Sequence, residues 1–312
     1  MEPQTDRRAV VYRSYLLLLL ANTIWGTDYP FYKILLSGYI SPYALASVAL
    51  IVAGIICAVS LLFFRGEKIH WKDLWVFAVA GLLTGVLRKG LLMVGISYAS
   101  PIDASIITTV GPVIVLIISV MLMIEKLTRM KLIGLLLGLA GTLVIILFSG
   151  GTGGGHDRML GNVIVFLATL TSAVYMVWLK KVVKKYQPLT VMRWMYIMAA
   201  IMALPFGIHY IPQTDFHAMT GSVFWLFLFV ALLPTLLPNY IVISSTRFVN
   251  PTLVSVYGYV QPVVATVLSV AMGVDRLSWE QVVAGIVVFV GVYLVIRSYN
   301  GNSGLTPAHH MR

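Results

Sequence analysis

Two adjacent cations, Arg88 and Lys89, lie inside an otherwise apolar stretch of this 312-residue chain. A charged side chain in apolar surroundings is costly unless it meets water, a ligand or an opposite charge. Asp28 lies in another apolar stretch at a comparable depth, so a charge pair between Asp28 and either cation is plausible and would offset part of that cost. Three interpretations stay open: an ion pair that only fixes two helices, a gate that breaks and reforms, and a site where Arg88 binds a carboxylate or another anionic group.

Polar and aromatic residues mark one side of the first apolar stretch. Their spacing of three, four and seven positions places them on a single helical face. They are Asn22, Trp25, Asp28, Tyr29 and Tyr32. Because a carboxylate on that face disfavours contact with lipid, we expect the face to line a cavity. The alternative is that the aromatic rings only anchor the chain at the edge of a bilayer.

Two prolines, Pro112 and Pro262, interrupt apolar stretches about midway. Each lacks an amide hydrogen and displaces the carbonyl four residues earlier, at Thr108 and Gly258. Broken backbone at membrane depth lines water, protein or a bound ligand, although a kink without any ligand contact stays open. The other polar residues that we expect in the same cavity are Thr108, Tyr175, Asn239, Tyr257 and Gln261.

Three more charged residues have simpler explanations. Lys33 and Arg193 lie near the ends of apolar stretches, where a long side chain can extend to the bilayer surface. Asp103 begins an apolar stretch, where we expect it to cap a helix, with proton transfer as the alternative.

The sequence contains no recognisable catalytic or metal-binding motif. The histidines lack metal-ligand spacing, and the glycine-rich residues 150–158 lack the Gly-Lys-Ser/Thr ending of a phosphate-binding loop. Cys57 is the only cysteine, which excludes an intrachain disulfide. We therefore expect no cofactor, no metal site and no enzymatic activity.

The composition is that of an integral membrane protein. Hydrophobic residues make up 59% of the chain and charged residues 11%, whereas soluble domains carry about 25% charged residues. Stretches of about 20 apolar residues recur along the chain and predict ten transmembrane helices in a single domain covering residues 1–312. Their expected ranges are 14–36, 41–64, 73–97, 101–124, 131–149, 159–182, 189–210, 222–246, 250–273 and 279–297.

The basic residues are distributed unevenly over the predicted loops. Of the 22 lysines and arginines, sixteen fall on one side of the membrane, three on the other and three within the spans. Lysine-rich and arginine-rich loops stay in the cytoplasm, so we expect both termini to be cytoplasmic in a bacterial inner (cell) membrane. This asymmetry explains the net charge of +11 without a nucleic-acid partner. Residues 298–312 are predicted to be a disordered cytoplasmic tail.

The chain contains an internal repeat. Residues 97–146 align without a gap with residues 247–296, with ten identical pairs in fifty positions. Each copy comprises five predicted helices, an odd number, so the second copy enters the membrane from the opposite side. The predicted fold is therefore an all-α membrane protein of ten transmembrane helices.

We expect these helices to form two inverted five-helix repeats, at about 14–149 and 159–297, joined by a linker at 150–158. At the same spacing, Arg88 and Lys89 correspond to Pro238 and Asn239. We expect substrate recognition at such positions, where the two copies differ.

Together these features resemble the drug/metabolite transporter superfamily, in its EamA-type branch. Each copy has a mid-helix proline, an acidic residue with a nearby leucine, and a final helix with glycines. The residues are Pro112, Glu125, Leu127, Gly134 and Gly141 in the first copy and Pro262, Asp275, Leu277, Gly285 and Gly291 in the second, with Trp25-Gly26 and Lys33 in the first helix. Asp275 replaces the usual glutamate, and residues 257–262 (YGYVQP) are more polar than usual. The resemblance implies a secondary transporter, commonly an exporter of small metabolites, with a central cavity between the repeats.

The expected function is the transport of small metabolites such as amino acids by alternating access, with Arg88 taking an anionic group. The alternative is an anion exchanger for phosphorylated or nucleotide-linked sugars, although a single well-placed arginine argues against a dianion. A channel or a membrane-embedded enzyme is less favoured, since neither a continuous polar pore nor a catalytic grouping is visible. The expected partners are a small-molecule substrate and the lipid bilayer, with protons, through Asp28, as the candidate coupling ion. The oligomeric state is left open.

Overall fold

The computed structural model describes residues 4–63, 67, 69–123, 127–148, 155–183, 185–245 and 257–302, and these residues form helices and no strand. The helices are α1 (Gln4–Leu36), α2 (Pro42–Phe63), α3 (Leu74–Ala80), α4 (Arg88–Tyr98), α5 (Pro101–Thr108), α6 (Gly111–Met121), α7 (Arg129–Phe148), α8 (Gly155–Val183), α9 (Pro188–Tyr210), α10 (Ser222–Ser245), α11 (Val260–Ala271) and α12 (Trp279–Asn302). A π-helical turn, Gly81–Leu87, joins α3 to α4 without a break, and a 3₁₀ turn, Tyr257–Tyr259, leads into α11.

Local sequence signals explain where several helices begin. Pro42, Pro101 and Pro188 occupy first-turn positions, where the missing amide hydrogen has no helical partner to lose. Before α5, the Ser100 hydroxyl accepts a hydrogen bond from the Asp103 amide at 3.1 Å. Before α12, Ser278 and Gln281 bond reciprocally through side chain and backbone, at 2.8 and 3.3 Å.

By length and composition, seven helical segments among the described residues could cross a membrane. They are Pro42–Phe63, Trp71–Tyr98, Pro101–Met121, Arg129–Leu147, Asp157–Val177, Pro188–Gln213 and Ser222–Ser245. Two apolar segments, Tyr257–Ala271 and Trp279–Val295, are shorter, and α1 carries Asp28 and Lys33. The chain is therefore a multi-pass membrane protein, and the count of ten spans stays a prediction.

Helix contacts follow the order of the sequence repeat. The second and fifth helices of each copy meet their own counterparts, since α2 packs against α9 and α7 against α12. The first helix of each copy meets the third of the other: α1 packs against α10, and α8 packs against α4. This exchange of equivalent contacts is what a twofold relation between the copies produces.

Close backbone approach at glycines holds these pairs together. A Cβ atom on Gly134 would lie 2.5 Å from the Gly291 carbonyl oxygen, and one on Gly291 would lie 2.5 Å from the Gly138 nitrogen. Where α4 meets α8, a Cβ atom on Gly161 would lie 2.4 Å from the Ala99 nitrogen. Small residues of this kind drive helix association in membranes, where apolar burial gives little advantage over lipid.

Two predicted irregular segments are partly helical. The predicted linker ends at residue 158, but α8 already begins at Gly155, and residues 149–154 lie outside the described part. The predicted disordered tail begins at residue 298, but α12 continues to Asn302. Residues 303–312 lie outside the description.

Candidate functional site

A central cavity lies between α1, α2, α4, α9, α10 and α11. Eight residues predicted from the sequence line it: Trp25, Asp28, Tyr29, Tyr32, Arg88, Lys89, Asn239 and Gln261. The other lining residues, which the sequence analysis did not propose, are Leu50, Thr84, Leu92, Tyr196, Pro234 and Thr235. The cavity volume is about 30 Å³. This is room for about two water molecules, so the site is nearly closed in this conformation.

The π-helical turn brings both cations to the cavity. In a regular α-helix, two consecutive residues point about 100° apart, so that of the two predicted cavity residues we expected Arg88 to face inward more directly than Lys89. The wider turn at Gly81–Leu87 ends directly before Arg88, and both Arg88 and Lys89 line the cavity. Small residues permit this turn beside α9, since a Cβ atom on Gly85 would lie 2.6 Å from the Ala199 Cβ atom.

The expected ion pair between Asp28 and a cation is absent. No side-chain nitrogen of Arg88 or Lys89 lies within 4.0 Å of the Asp28 carboxylate. The Lys89 ammonium instead donates to the Thr235 hydroxyl at 2.5 Å, across the space between α4 and α10. One oxygen of Asp28, Oδ2, accepts from the Tyr32 hydroxyl at 2.9 Å, one turn further along α1. The prediction of direct pairing was wrong because these neutral hydroxyls lie closer to each charge.

Two charged groups in the cavity keep unused hydrogen-bonding capacity. Asp28 is 6% exposed, and its second oxygen, Oδ1, is buried without a hydrogen-bond partner. Among the described residues, the Arg88 guanidinium makes neither a hydrogen bond nor an ion pair. A guanidinium offers five hydrogen-bond donors, so Arg88 has the donors that an anionic group would need.

The remaining polar residues of α1 form a connected chain with α11. Gln261 donates to the Asn22 side-chain oxygen at 2.7 Å, and Asn22 donates to the Leu18 carbonyl at 2.8 Å. Tyr29 donates to the Gln261 side-chain oxygen at 3.3 Å and shares a 2.7 Å hydrogen bond with the Thr108 hydroxyl. Asn22 and Thr108 do not line the cavity themselves, but each is hydrogen-bonded to a side chain that does, Gln261 and Tyr29 respectively.

Two prolines in α10 free a backbone carbonyl beside the cavity. Pro238 lacks the amide that would bond the Pro234 carbonyl, and the Trp25 indole nitrogen donates to that carbonyl at 3.1 Å. The next carbonyl, that of Thr235, accepts from the Tyr196 hydroxyl at 2.6 Å and from the side-chain amide of Asn239 at 2.9 Å. The sequence around Tyr196 gave no indication that it lines the cavity, apart from its being a polar residue in an apolar helix.

The two predicted helix breaks lie on either side of the cavity region. α5 ends at Thr108 and α6 begins at Gly111, with Pro112 in its first turn. The second break has a 3₁₀ turn before α11, whose first turn holds Pro262. Neither proline lines the cavity, although Thr108 and Gln261 beside them belong to the hydrogen-bonded chain described above.

Two predicted residues lie away from the cavity. The Tyr175 hydroxyl donates to the sulfur of Met195 at 3.3 Å, within an apolar cluster. Tyr257 stacks on Tyr15, with the ring centroids 6.3 Å apart. Tyr175 lies on α8 and Tyr257 lies in the 3₁₀ turn before α11. The direction in which each side chain points depends on how its segment packs, which sequence spacing does not reveal.

A second polar cluster lies beyond the end of α4. Asp103, which is fully buried, accepts hydrogen bonds from Arg158 at 2.8 Å, Asn162 at 3.1 Å and Gln281 at 2.7 Å. Asp103 was predicted to cap α5, but Ser100 does so, which leaves the carboxylate free to join three helices.

Lys33 belongs to the same end of the molecule. Its ammonium donates to the carbonyls of Ile96, Ser97 and Ala99 at 3.0, 3.0 and 2.8 Å. The last carbonyls of α4 need donors and attract a cation, which explains these contacts, and the extension of Lys33 to the bilayer surface stays a prediction. Arg193, by contrast, is buried, at 3% exposed, and does not extend to a surface.

A third polar cluster lies at the other end of the molecule, where the residue before α3 meets the residues that follow α8. Lys185 donates to the Asp73 carboxylate at 2.6 Å, and the Tyr186 hydroxyl donates to the same oxygen. This hydrogen bond to Asp73 raises the pKa of Lys185. The Gln187 amide donates to Glu67 at 2.8 Å. Both ends of the molecule therefore carry polar contacts between the two sequence copies.

The chemical character of the cavity follows from the polar groups that line it. Across the described ranges, no three His, Cys, Asp or Glu side chains lie together as metal ligands. The cavity lining offers one carboxylate, one guanidinium, one ammonium and aromatic side chains inside a bundle of apolar helices. A multi-pass membrane protein with a charged internal cavity belongs to the class of membrane transporters.

The chain belongs to the EamA-like transporter family, whose family model matches it twice, at residues 12–147 and 159–297. The resemblance stated from the sequence is thereby confirmed, as is the two-repeat architecture. An "Uncharacterized transporter" from Archaeoglobus fulgidus is 25% identical over 91% of this chain and 99% of its own. The "Uncharacterized inner membrane transporter YedA" of Escherichia coli is 27% identical over 88% of each chain.

A solved crystal structure shares the fold. It superposes with a TM-score of 0.64 at 19% sequence identity and covers 94% of this chain and 99% of the other. The likeness extends over the whole bundle, including both repeats.

Proposed function

We propose that the chain is a secondary transporter that exports small metabolites, such as amino acids, by alternating access around the central cavity. The observation that carries this proposal is the Arg88 guanidinium, which lines an internal cavity and has no bonding partner among the described residues. Removing an ionisable side chain from water costs free energy, and within membrane-spanning helices such residues commonly mark a substrate pathway.

The closed state of the cavity supports a carrier over a channel. About 30 Å³ admits water but not a metabolite, so passage requires the helices to move. The closures that we propose are the polar contacts at the two ends of the bundle, Asp103 with Arg158 at one and Asp73 with Lys185 at the other. In alternating access, one such closure opens while the other stays intact.

The exchange of equivalent helix contacts supports inverted repeats as the moving halves. With five helices in each copy, both termini lie on the same side of the membrane, and the basic loops place that side in the cytoplasm of a bacterial inner membrane. Ten spans, inversion and cytoplasmic termini are parts of this proposal.

The test is counterflow in proteoliposomes with labelled amino acids, comparing wild type with Arg88→Gln. Loss of a charge-assisted contact to substrate weakens binding by about 1.5–3 kcal/mol, so we expect saturable flux to fall at least about tenfold. Arg276→Gln is the matched control, because it removes the same charge from an exposed loop position. Near-normal flux through Arg88→Gln at equal reconstitution would contradict the role of Arg88.

A second candidate is an anion exchanger for phosphorylated or nucleotide-linked sugars. It is favoured by Lys89 lining the cavity together with Arg88, which gives two cations to one carboxylate. The same vesicles loaded with glucose 6-phosphate or UDP-glucose distinguish the two candidates. A pH gradient across them tests whether protons are coupled to transport.

A further inference from the structure

Two side chains of opposite charge with unused bonding capacity belong to the lining of the same cavity. The Asp28 side chain is more than nine-tenths buried and lines the cavity, and its Oδ1 atom has no donor. Arg88 lines the same cavity and has no acceptor among the described residues. A buried carboxylate oxygen without a donor is costly, and natural proteins keep such an atom where a ligand or another function accounts for it.

Several of the protein's own donors near Asp28 are engaged elsewhere. The nearest hydroxyl on α1, that of Tyr32, donates to the other oxygen of Asp28. From α4, Lys89 donates to Thr235 on α10, and from α9, Tyr196 donates to the Thr235 carbonyl.

Three further polar side chains of the cavity lining are engaged as well. Tyr29 is bonded to Thr108 and Gln261, and the Gln261 amide donates to Asn22. The Trp25 indole donates to α10. Among the described polar groups of the cavity lining, Asp28 Oδ1 is a buried atom without a partner and the Arg88 guanidinium makes no bond.

We infer that the cavity recognises a small zwitterion, with its ammonium group on Asp28 Oδ1 and its carboxylate on Arg88. This inference rests on the proposed transport function and assigns its substrate class. An ammonium is the donor that a buried carboxylate favours most, because the hydrogen bond is charge-assisted on both sides. Lys89 donates to Thr235, which leaves the Arg88 guanidinium for the carboxylate of the ligand.

The arrangement predicts a specificity that neither charge alone would produce. A ligand that lacks the ammonium leaves Asp28 Oδ1 unsatisfied, and one that lacks the carboxylate leaves Arg88 unsatisfied. A site built for a polar group rejects analogues without it more strongly than an apolar pocket rejects a missing methylene. We expect each deletion to weaken apparent affinity by about tenfold to a hundredfold.

The experiment measures counterflow of the twenty common L-amino acids into proteoliposomes containing the full chain. Each amino acid that exchanges is then challenged with its N-acetyl derivative, its 2-hydroxy-acid analogue and its decarboxylated amine as competitors. This series uses the unaltered protein, so its outcome does not depend on the folding of a variant. Glucose 6-phosphate and UDP-glucose serve as the non-zwitterionic comparison.

Asp28→Asn then tests the assigned contact directly. The amide keeps an oxygen acceptor but no charge, so the preference for an amino acid over its hydroxy-acid analogue should shrink to within about threefold, while Arg276→Gln keeps the wild-type preference. A purely structural role for Asp28 would lower flux without changing this ratio.

Each outcome decides the matter. Amino acids that outcompete all three analogues at least tenfold support the inference. Equal competition by the hydroxy acid or the N-acetyl derivative overturns it, as does exchange of the sugar phosphates alone, although saturable exchange would still uphold the proposed transport function. Absence of saturable flux for every compound would overturn both.

Discussion

Asp103→Ala should destabilise the folded protein more than any other single removal of a carboxylate at that end of the molecule. The carboxylate is fully buried and accepts three hydrogen bonds, from Arg158 on α8, Asn162 on α8 and Gln281 on α12. Alanine removes the acceptor that ties α5 to these two helices. The side chain of Arg158 is only 13% exposed, so water replaces little of the lost contact.

The expected cost follows from these contacts. A hydrogen bond to a charged group contributes about 1.5–3 kcal/mol, but three bonds to one carboxylate do not add independently. Breaking a buried pair by removing one partner costs about 3–5 kcal/mol, which we adopt as the expected loss in the free energy of unfolding.

The assay is unfolding of the purified chain in dodecyl maltoside micelles with increasing sodium dodecyl sulfate, followed by circular dichroism. Glu280→Gln is the control, because this acid lies at the same end but is exposed, and we expect a change within about 0.5 kcal/mol. A double-mutant cycle of Asp103→Ala with Arg158→Ala should give a coupling above about 1 kcal/mol. A loss below 1 kcal/mol for Asp103→Ala, or a coupling near zero, would refute the reasoning.

Two further predictions concern packing and orientation. Gly291→Ala should destabilise the protein by about 1–3 kcal/mol, because its Cβ atom would lie 2.5 Å from the Gly138 nitrogen and 2.7 Å from the Gly134 carbonyl oxygen. Gly285→Ala on the same helix is the control, since its nearest neighbour would be a side-chain carbon at 3.7 Å, and equal losses for both variants in the micelle assay would contradict the argument. For orientation, alkaline phosphatase fused after Arg276 should be active and the same enzyme fused after Lys185 inactive, because the basic loops stay cytoplasmic. The reverse pattern would show that the charge count assigned the wrong side.

Class and family could be read from the sequence because both depend on composition and order. Alternation of apolar stretches with basic loops follows directly from the cost of placing charge in lipid. The mid-helix prolines and the glycines of the last helix of each copy identified the EamA-type pattern, and the family match confirmed it. These signals are local or periodic, so no knowledge of packing is needed to recognise them.

The face of α1 was also predictable from its spacing. Trp25, Asp28, Tyr29 and Tyr32 recur at helical intervals, and the structure places all four in the cavity lining. Arg88 could be proposed because an arginine within an apolar helix requires an explanation. Which residues bind substrate stays a prediction.

What the sequence by itself determined is that this chain crosses a membrane repeatedly, carries two copies of one helical unit and holds a few costly polar groups among apolar helices. Only the tertiary structure decided which partner each group takes. Lys89 meets Thr235, Asp103 meets Arg158, and Lys33 meets the end of α4, although none of these partners is near in sequence. The physical reason is that a buried polar group bonds to whatever donor or acceptor packing brings within about 3 Å, and helix rotation, the π-helical turn and glycine contacts set that proximity.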